Sequence, residues 1–287
     1  MQLNNFHNTP WIFPQSPGAE PEFRLFCFPY AGGGASIFRQ WQEYMPDGVQ
    51  VCGVQLPGRE NRITESPHTD LRLLVEHILV GLRPFLNKPF AFFGHSLGAK
   101  IAFELARLLR KKHQPQPRHL FVAGSRAPHL LETCPLHQLP DHSFIEELRR
   151  YEATPEVLLE NKELMAFYLP LLRADFTVDE TYAYAEEVPL QCPLTVYGGL
   201  ADKEVTREEL EAWQQHSTDV FCCRMFAGNH FFIKSAQELV FAELRRDIFR
   251  MLPQSDTYRL NDGVAGRSLA YTGHASARFG GNSLPFS

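Results

Sequence analysis

The chain has 287 residues, 44% of them hydrophobic, with a formal net charge of −5. That length suits one large α/β domain carrying an insertion, or two small domains, and no basic stripe is dense enough to suggest nucleic acid. No run reaches the length of a membrane-spanning helix, and the opening Met1-Gln2-Leu3-Asn4-Asn5-Phe6 lacks the basic-then-apolar order of a signal peptide.

In chain order, residues 1–22 read as an N-terminal extension, and a first strand is predicted over 23–28. It runs into Phe28-Pro29-Tyr30-Ala31-Gly32-Gly33-Gly34, a glycine run with neither GxGxxG nor GxxxxGK[ST], so a nucleotide loop is not expected. A helix over 37–44, a strand over 49–55 and a helix over 70–86 follow, with a basic-tinged loop at 55–62. The plainer reading of that loop is a turn made by Pro57 and Gly58; the functional alternative is docking of a partner by Arg59 or Arg62. A strand over 90–93 leads into Gly94-His95-Ser96-Leu97-Gly98, and a helix over 98–112 leaves it. Strand, sharp turn and helix with a serine at the apex make a nucleophile elbow; the bland reading is a serine that merely caps the helix. After a strand over 119–123, the next is predicted only at 194–197. That gap of roughly seventy residues far exceeds the usual α/β connection of about 2–6. Helical spacing within it gives segments at 141–151, with Asp141 as N-cap, and at 155–160 and 163–184. An insertion over about 126–185 is expected to cover the carboxyl edge of the sheet as a lid, the alternative being an ornament packed elsewhere. A helix over 207–215, a strand over 220–226 and a helix over 237–251 complete the domain, which spans 23–252. The tail 253–287, rich in Ser, Gly, Asn and Arg, is expected to be mobile and outside the core.

Alternating strands and helices predict a mostly parallel sheet with helices on both faces. The 23 Phe are read chiefly as packing for it. Cys27, Cys52, Cys134, Cys192, Cys222 and Cys223 form no CxxC motif and read as reduced core thiols of a cytosolic protein. No HExxH or paired Cys/His spacing points to a metal.

A serine hydroxyl needs a base, and the base needs an acceptor that fixes its tautomer. In α/β-hydrolases these follow in the order Ser, acid, His, each after a strand. The chain supplies Asp202 after Gly198-Gly199-Leu200-Ala201, and His230 after Ala227-Gly228-Asn229. Glu204 is the rival acid, whereas Asp219 precedes its strand and so falls at the wrong edge. His95 is expected to point away from the site. An oxyanion hole needs the N–H after the nucleophile, that of Leu97, and one from the early glycine loop, with Ala31 preferred and Gly32 next.

Beyond GxSxG, the segments Leu25-Phe26-Cys27-Phe28-Pro29-Tyr30-Ala31-Gly32-Gly33, Gln55-Leu56-Pro57-Gly58-Arg59-Glu60-Asn61-Arg62, Leu172-Arg173-Ala174-Asp175-Phe176 and Gly228-Asn229-His230-Phe231-Phe232 carry a resemblance to the type II thioesterases of nonribosomal peptide and polyketide synthesis. The resemblance implies an α/β-hydrolase fold with an inserted helical lid. It implies Ser96 as nucleophile, His230 as general base and Asp202 as its orienting partner. The expected reaction is hydrolysis of acyl groups from the phosphopantetheine arm of acyl or peptidyl carrier-protein domains, with no cofactor of its own, in the cytoplasm, and with a monomer as the default. Leu97 stands where the family often has Met, and Asn229 where it often has Gly; Asn is expected to adopt the same left-handed backbone. The competing expectations are a cyclising thioesterase or small-molecule esterase of the same fold, and a non-catalytic carrier-binding protein.

Overall fold

The computed structural model describes residues 9–13, 20–151 and 156–252. The tail expected to be mobile, and most of the N-terminal extension, lie outside the described residues. Six strands form one sheet: β1 (Phe23–Phe28), β2 (Val49–Gly53), β3 (Phe90–His95), β4 (Leu120–Ala123), β5 (Leu194–Gly199) and β6 (Phe221–Phe226). Their order is β2-β1-β3-β4-β5-β6, and every pairing between them is parallel. Leu25 sits opposite Val51 on one side and Ala91 on the other, so β1 and β3 are central strands. Their continuous apolar sequence follows, because both faces of a parallel sheet are covered. Phe26, Phe28 and Phe92 meet edge-to-face within this core, with ring centroids 5.4–6.0 Å apart.

The helices are α1 (Leu71–Leu82), α2 (Leu97–Lys111), α3 (Asp141–Arg150), α4 (Glu156–Glu160), α5 (Lys162–Glu180), α6 (Arg207–Glu211), α7 (Phe232–Ser235) and α8 (Gln237–Met251). Asp70 starts α1 by accepting from the N–H of Leu73 at 2.8 Å. The expected helix to residue 86 gives way instead to a 3-10 turn over Arg83–Phe85. Arg83 keeps right-handed helical angles, φ −49° and ψ −43°, but Pro84 offers no N–H with which to carry the α-helical ladder onward. The segment Ala35–Tyr44 is also 3-10. Its buried residues, Ala35, Phe38 and Trp41, recur every third position, which matches three residues per turn better than 3.6. Gln42 turns from it to the sheet edge, donating to the carbonyl of Val49 and accepting from the N–H of Val51.

Part of the N-terminal extension joins the sheet region. Phe13 N–H donates to the carbonyl of Gly53 at 2.9 Å and Gln55 N–H to that of Trp11 at 2.8 Å. Ile12 is buried there, paired antiparallel with Val54.

Between β4 and β5 the insertion builds a small core of its own from Leu136, Phe144, Leu148, Met165, Leu172 and Phe176. Two ion pairs, one buried and one partly exposed, fasten its longest helix, α5, to the main domain. Arg59 reaches Asp175, and Lys100 on α2 reaches both the carboxylate and the carbonyl of Asp179 at 3.0 Å.

Candidate active site

The elbow is built by close backbone approach. Ser96 has φ 55° and ψ −120°, a conformation that costs a non-glycine residue about 1–3 kcal/mol. Its N–H is held by the carbonyl of Ala123 at 2.8 Å, so β4 braces the turn. A Cβ on Gly94 would lie 2.1 Å from the Gly98 carbonyl oxygen, and one on Gly98 would lie 2.1 Å from that of Phe28. A side chain at either position would require the neighbouring backbone to shift. The serine therefore stands partly exposed at the mouth of α2, whose first residue is Leu97.

Asp202 and His230 leave the neighbouring strands β5 and β6. The loops touch: Ala201 N–H donates to the Gly228 carbonyl at 2.9 Å, and a Cβ on Gly199 would lie 2.4 Å from the Asn229 carbonyl oxygen. His230 Nδ1 lies 2.9 Å from Asp202 Oδ2. A carboxylate only accepts, so Nδ1 carries the proton and Nε2 keeps its lone pair. The other oxygen, Oδ1, accepts from the N–H groups of Glu204 and Val205 at 2.8 and 3.3 Å. These bonds leave the carboxylate no freedom to rotate, and its side chain is 1% exposed. The rival acid Glu204 is turned to Arg150 at 2.6 Å. Asp219 lies before β6, at the opposite edge.

One narrow pocket is lined by Ser96, Leu97, His230 and Ala31, with Leu148, Tyr151, Leu172 and Phe176 of the insertion closing over them. Of the two oxyanion donors considered in the glycine loop, Gly32 is committed elsewhere. Its N–H donates to Asp175 Oδ2 at 2.7 Å. Ala31 is left beside Leu97 in the pocket.

Three expectations need correction. His95 does not point away from the site. It is fully buried, its ring centroid is 5.2 Å from that of His230, and its Nε2 lies 2.9 Å from the His230 carbonyl oxygen. Burial first, and the His230 charge second, hold its pKa well below the ordinary value, so it is a neutral donor to that carbonyl. Asn229 is not left-handed; the positive φ, 126°, falls on Gly228, and Asn229 instead accepts from Phe231 N–H through its side chain at 2.9 Å. Arg59 and Arg62 are not free for docking. They are 4% and 5% exposed. Arg59 is held by Asp175. Arg62 is held by Glu65 and the Gln55 carbonyl, with its guanidinium 4.1 Å over the Trp11 ring.

Among the described residues no cluster of His, Cys, Asp and Glu could hold a metal ion, and no helix is long and apolar enough to cross a membrane. All six cysteines are free, but only Cys27, Cys52 and Cys192 are the buried core thiols expected; Cys222 and Cys223 are half-buried on β6, and Cys134 is exposed in the insertion.

The thioesterase-domain family model matches residues 23–248. Linear gramicidin dehydrogenase LgrE of Brevibacillus parabrevis is 46% identical over 246 residues, covering 84% of this chain and 94% of that protein. This chain nevertheless has no dinucleotide fingerprint. Among solved structures, RedJ, a thioesterase of the prodiginine pathway in Streptomyces coelicolor, superposes with a TM-score of 0.75 at 39% identity, covering 81% of this chain and 95% of RedJ. The type II thioesterase BorB from the borrelidin biosynthetic cluster also gives 0.75, at 32% identity, covering 82% of this chain and 96% of BorB. An elbow serine at the edge of a parallel sheet, an acid and a histidine from the loops after β5 and β6, and these likenesses lead to one assignment: the chain belongs to the thioesterase family, with type II thioesterases of peptide and polyketide biosynthetic clusters as its homologues.

Proposed function

We propose that this protein is a serine thioesterase that removes acyl groups from the phosphopantetheine arm of carrier-protein domains, clearing aberrant or stalled units from a synthase. The observation that carries the reading is the pocket in which Ser96 and His230 meet the backbone of Ala31 and Leu97, with Asp202 behind the histidine. Asp202 fixes the Nδ1–H tautomer, so His230 Nε2 is the base that takes the Ser96 proton. Ser96 Oγ attacks the thioester carbonyl carbon. The electron pair moves to the carbonyl oxygen, which sits between the N–H groups of Ala31 and Leu97. As the carbon–sulfur bond breaks, the proton on His230 passes to the departing thiol. Water, deprotonated by His230, then attacks the acyl-serine and releases the free acid. The arm belongs to the partner, so the protein supplies no cofactor.

Leu172, Phe176, Leu148 and Tyr151 line the space over the serine, and Glu132, Asp179 and Glu180 line the same pocket; the apolar side chains suit an apolar acyl chain, and the carboxylates disfavour an anionic one. Replacing Ser96 with Ala tests the assignment. Release of acyl groups from carrier-protein thioesters should fall to background while the thermal midpoint stays near that of the parent. Turnover persisting in the folded Ser96→Ala protein would remove the serine from the chemistry.

A further inference from the structure

We propose that Asp175, although it lies on the inserted helix α5, is a positioning residue for the oxyanion hole. The inference rests on the reading of Ala31 and Leu97 as that hole. The glycine loop after β1 makes a turn from Tyr30 to Gly33, closed by Gly33 N–H donating to the Tyr30 carbonyl at 2.9 Å. Gly32, its third residue, has φ +78°, the conformation required there by a type II turn. The Tyr30 carbonyl and the Ala31 N–H share one peptide plane, so whatever holds this turn aims the Ala31 donor.

The inner bond of the turn is local, but its outer face is held by residues far away in sequence. Asp175 Oδ2 accepts from Gly32 N–H at 2.7 Å. The same carboxylate takes both ends of the Arg59 guanidinium, Nη1 to Oδ2 at 2.7 Å and Nη2 to Oδ1 at 2.8 Å. Arg59 Nη1 also donates to the Gly33 carbonyl at 3.2 Å, and Nε to that of Pro57 at 3.2 Å. Both side chains are 4% exposed, so neither ion is shared with bulk water. One turn earlier on α5, Leu172 occupies the space that a Cβ on Gly32 would need, with Cδ2 2.5 Å from that position. Two residues of one helical face thus seat on the loop, one by charge and one by shape. This gives a role to two segments that the catalytic chemistry left unused, 55–62 and 172–176.

Without the carboxylate, the Gly32 N–H loses its acceptor and Arg59 its counter-ion, so beyond its inner bond the turn keeps only the Arg59 bond to the Gly33 carbonyl and the contact with Leu172, and Gly32 regains part of its conformational freedom. A catalytic donor displaced by about 1 Å loses roughly 10²-fold in rate. The loss belongs in kcat, because the hole binds the developing oxyanion and not the ground-state carbonyl.

The test measures kcat and KM for hydrolysis of an acetyl–N-acetylcysteamine thioester by the full chain, well below the thermal midpoint. Active sites are counted by complete fluorophosphonate labelling of Ser96. Asp175→Ala should lose roughly ten- to a hundredfold in kcat per labelled site, with KM within about threefold and slower labelling. Asp175→Asn keeps an acceptor for Gly32 N–H and should fall between Ala and the parent. A merely structural residue would change how many sites are labelled and leave kcat per site alone. Parental kcat per site in Asp175→Ala, or a loss confined to KM, overturns the inference. Should that variant not fold, Asp175→Asn and Arg59→Lys decide by the same criterion, reduced kcat supporting it and parental kcat refuting it. Ser96→Ala is assayed alongside: turnover there would strike the underlying mechanism, whereas an inert Ser96→Ala beside a fully active Asp175 variant would strike only this inference.

Discussion

Replacing Gly98 with Ala should disable catalysis while sparing the fold. The added Cβ would lie 2.1 Å from the Phe28 carbonyl oxygen, 2.6 Å from its carbon and 2.7 Å from the Pro29 carbonyl oxygen. All three are backbone atoms and cannot rotate aside. Relief to a contact of 3.0 Å requires the start of α2 and the end of β1 to separate by about 0.9 Å. The start of α2 carries the Leu97 N–H, and the end of β1 leads within three residues to the Ala31 N–H, so the separation widens the oxyanion hole. A shift of about 1 Å corresponds to roughly 10²-fold in rate, or about 2.7 kcal/mol of transition-state stabilisation. Stability responds less. Overpacking costs typically about 1–3 kcal/mol, and the alanine returns up to about 1 kcal/mol through helix propensity. The assay is kcat per fluorophosphonate-labelled site on an acyl-carrier thioester, with the thermal midpoint measured in parallel. A folded Gly98→Ala protein with kcat within threefold of the parent would refute the claim that this backbone contact sets the spacing of the hole.

Two further substitutions follow from the site and the sheet. In Asp202→Asn, the side-chain oxygen should stay with the N–H groups of Glu204 and Val205. That turns the amide NH₂ towards His230 Nδ1 and forces the proton to Nε2, so the base is lost; kcat should fall about 10⁴-fold with KM little changed, and a loss under tenfold in steady-state assays would contradict the tautomer argument. Burial pulls the pKa of His119 and of His216 from 6.5 down to about 4. The folded state therefore stays neutral at both where the unfolded chain takes up protons, and stability is lost as pH falls from about 6.5 towards 4. Urea midpoints at pH 7 and pH 5 should differ less in His119→Gln than in the parent; an equal drop would mean that His119 contributes nothing to it.

The sheet was legible because each strand is a short apolar run ending in Gly or Pro-rich turns, and Ser96, Asp202 and His230 each follow one. Asp202 could be placed at the right edge by strand order alone, which also set Asp219 aside. What the sequence withheld depends on partners distant along the chain. Arg59 reads as a surface charge until Asp175, 116 residues later, is brought against it. Arg62 likewise reads as exposed, because nothing nearby announces that Trp11 will cover its guanidinium. His95 was misdirected for a related reason: its acceptor is the carbonyl of His230, set by packing of the last strand's loop and not by the elbow. Local geometry misled at Pro84 and at Asn229, and also where two helical periods compete. Phe38 and Trp41, three apart, fit either an α-helix or the observed 3-10 segment, and their common burial decides between them.

The two anchors of α5 bear on whether the insertion can be exchanged. It leaves after β4 and returns before β5, so transplanting it from a relative would seem to need only two splice points. Yet Arg59 and Lys100 lie outside any such cassette, on the acceptor scaffold, while Asp175 and Asp179 lie within it. A chimera whose donor segment lacks a carboxylate at position 175 would strand a guanidinium in the interior, at a cost of about 3–5 kcal/mol. A bulkier residue at position 172 would collide with Gly32. Substrate range in this scaffold is therefore not freely modular: the roof must be moved together with the residues on which it rests.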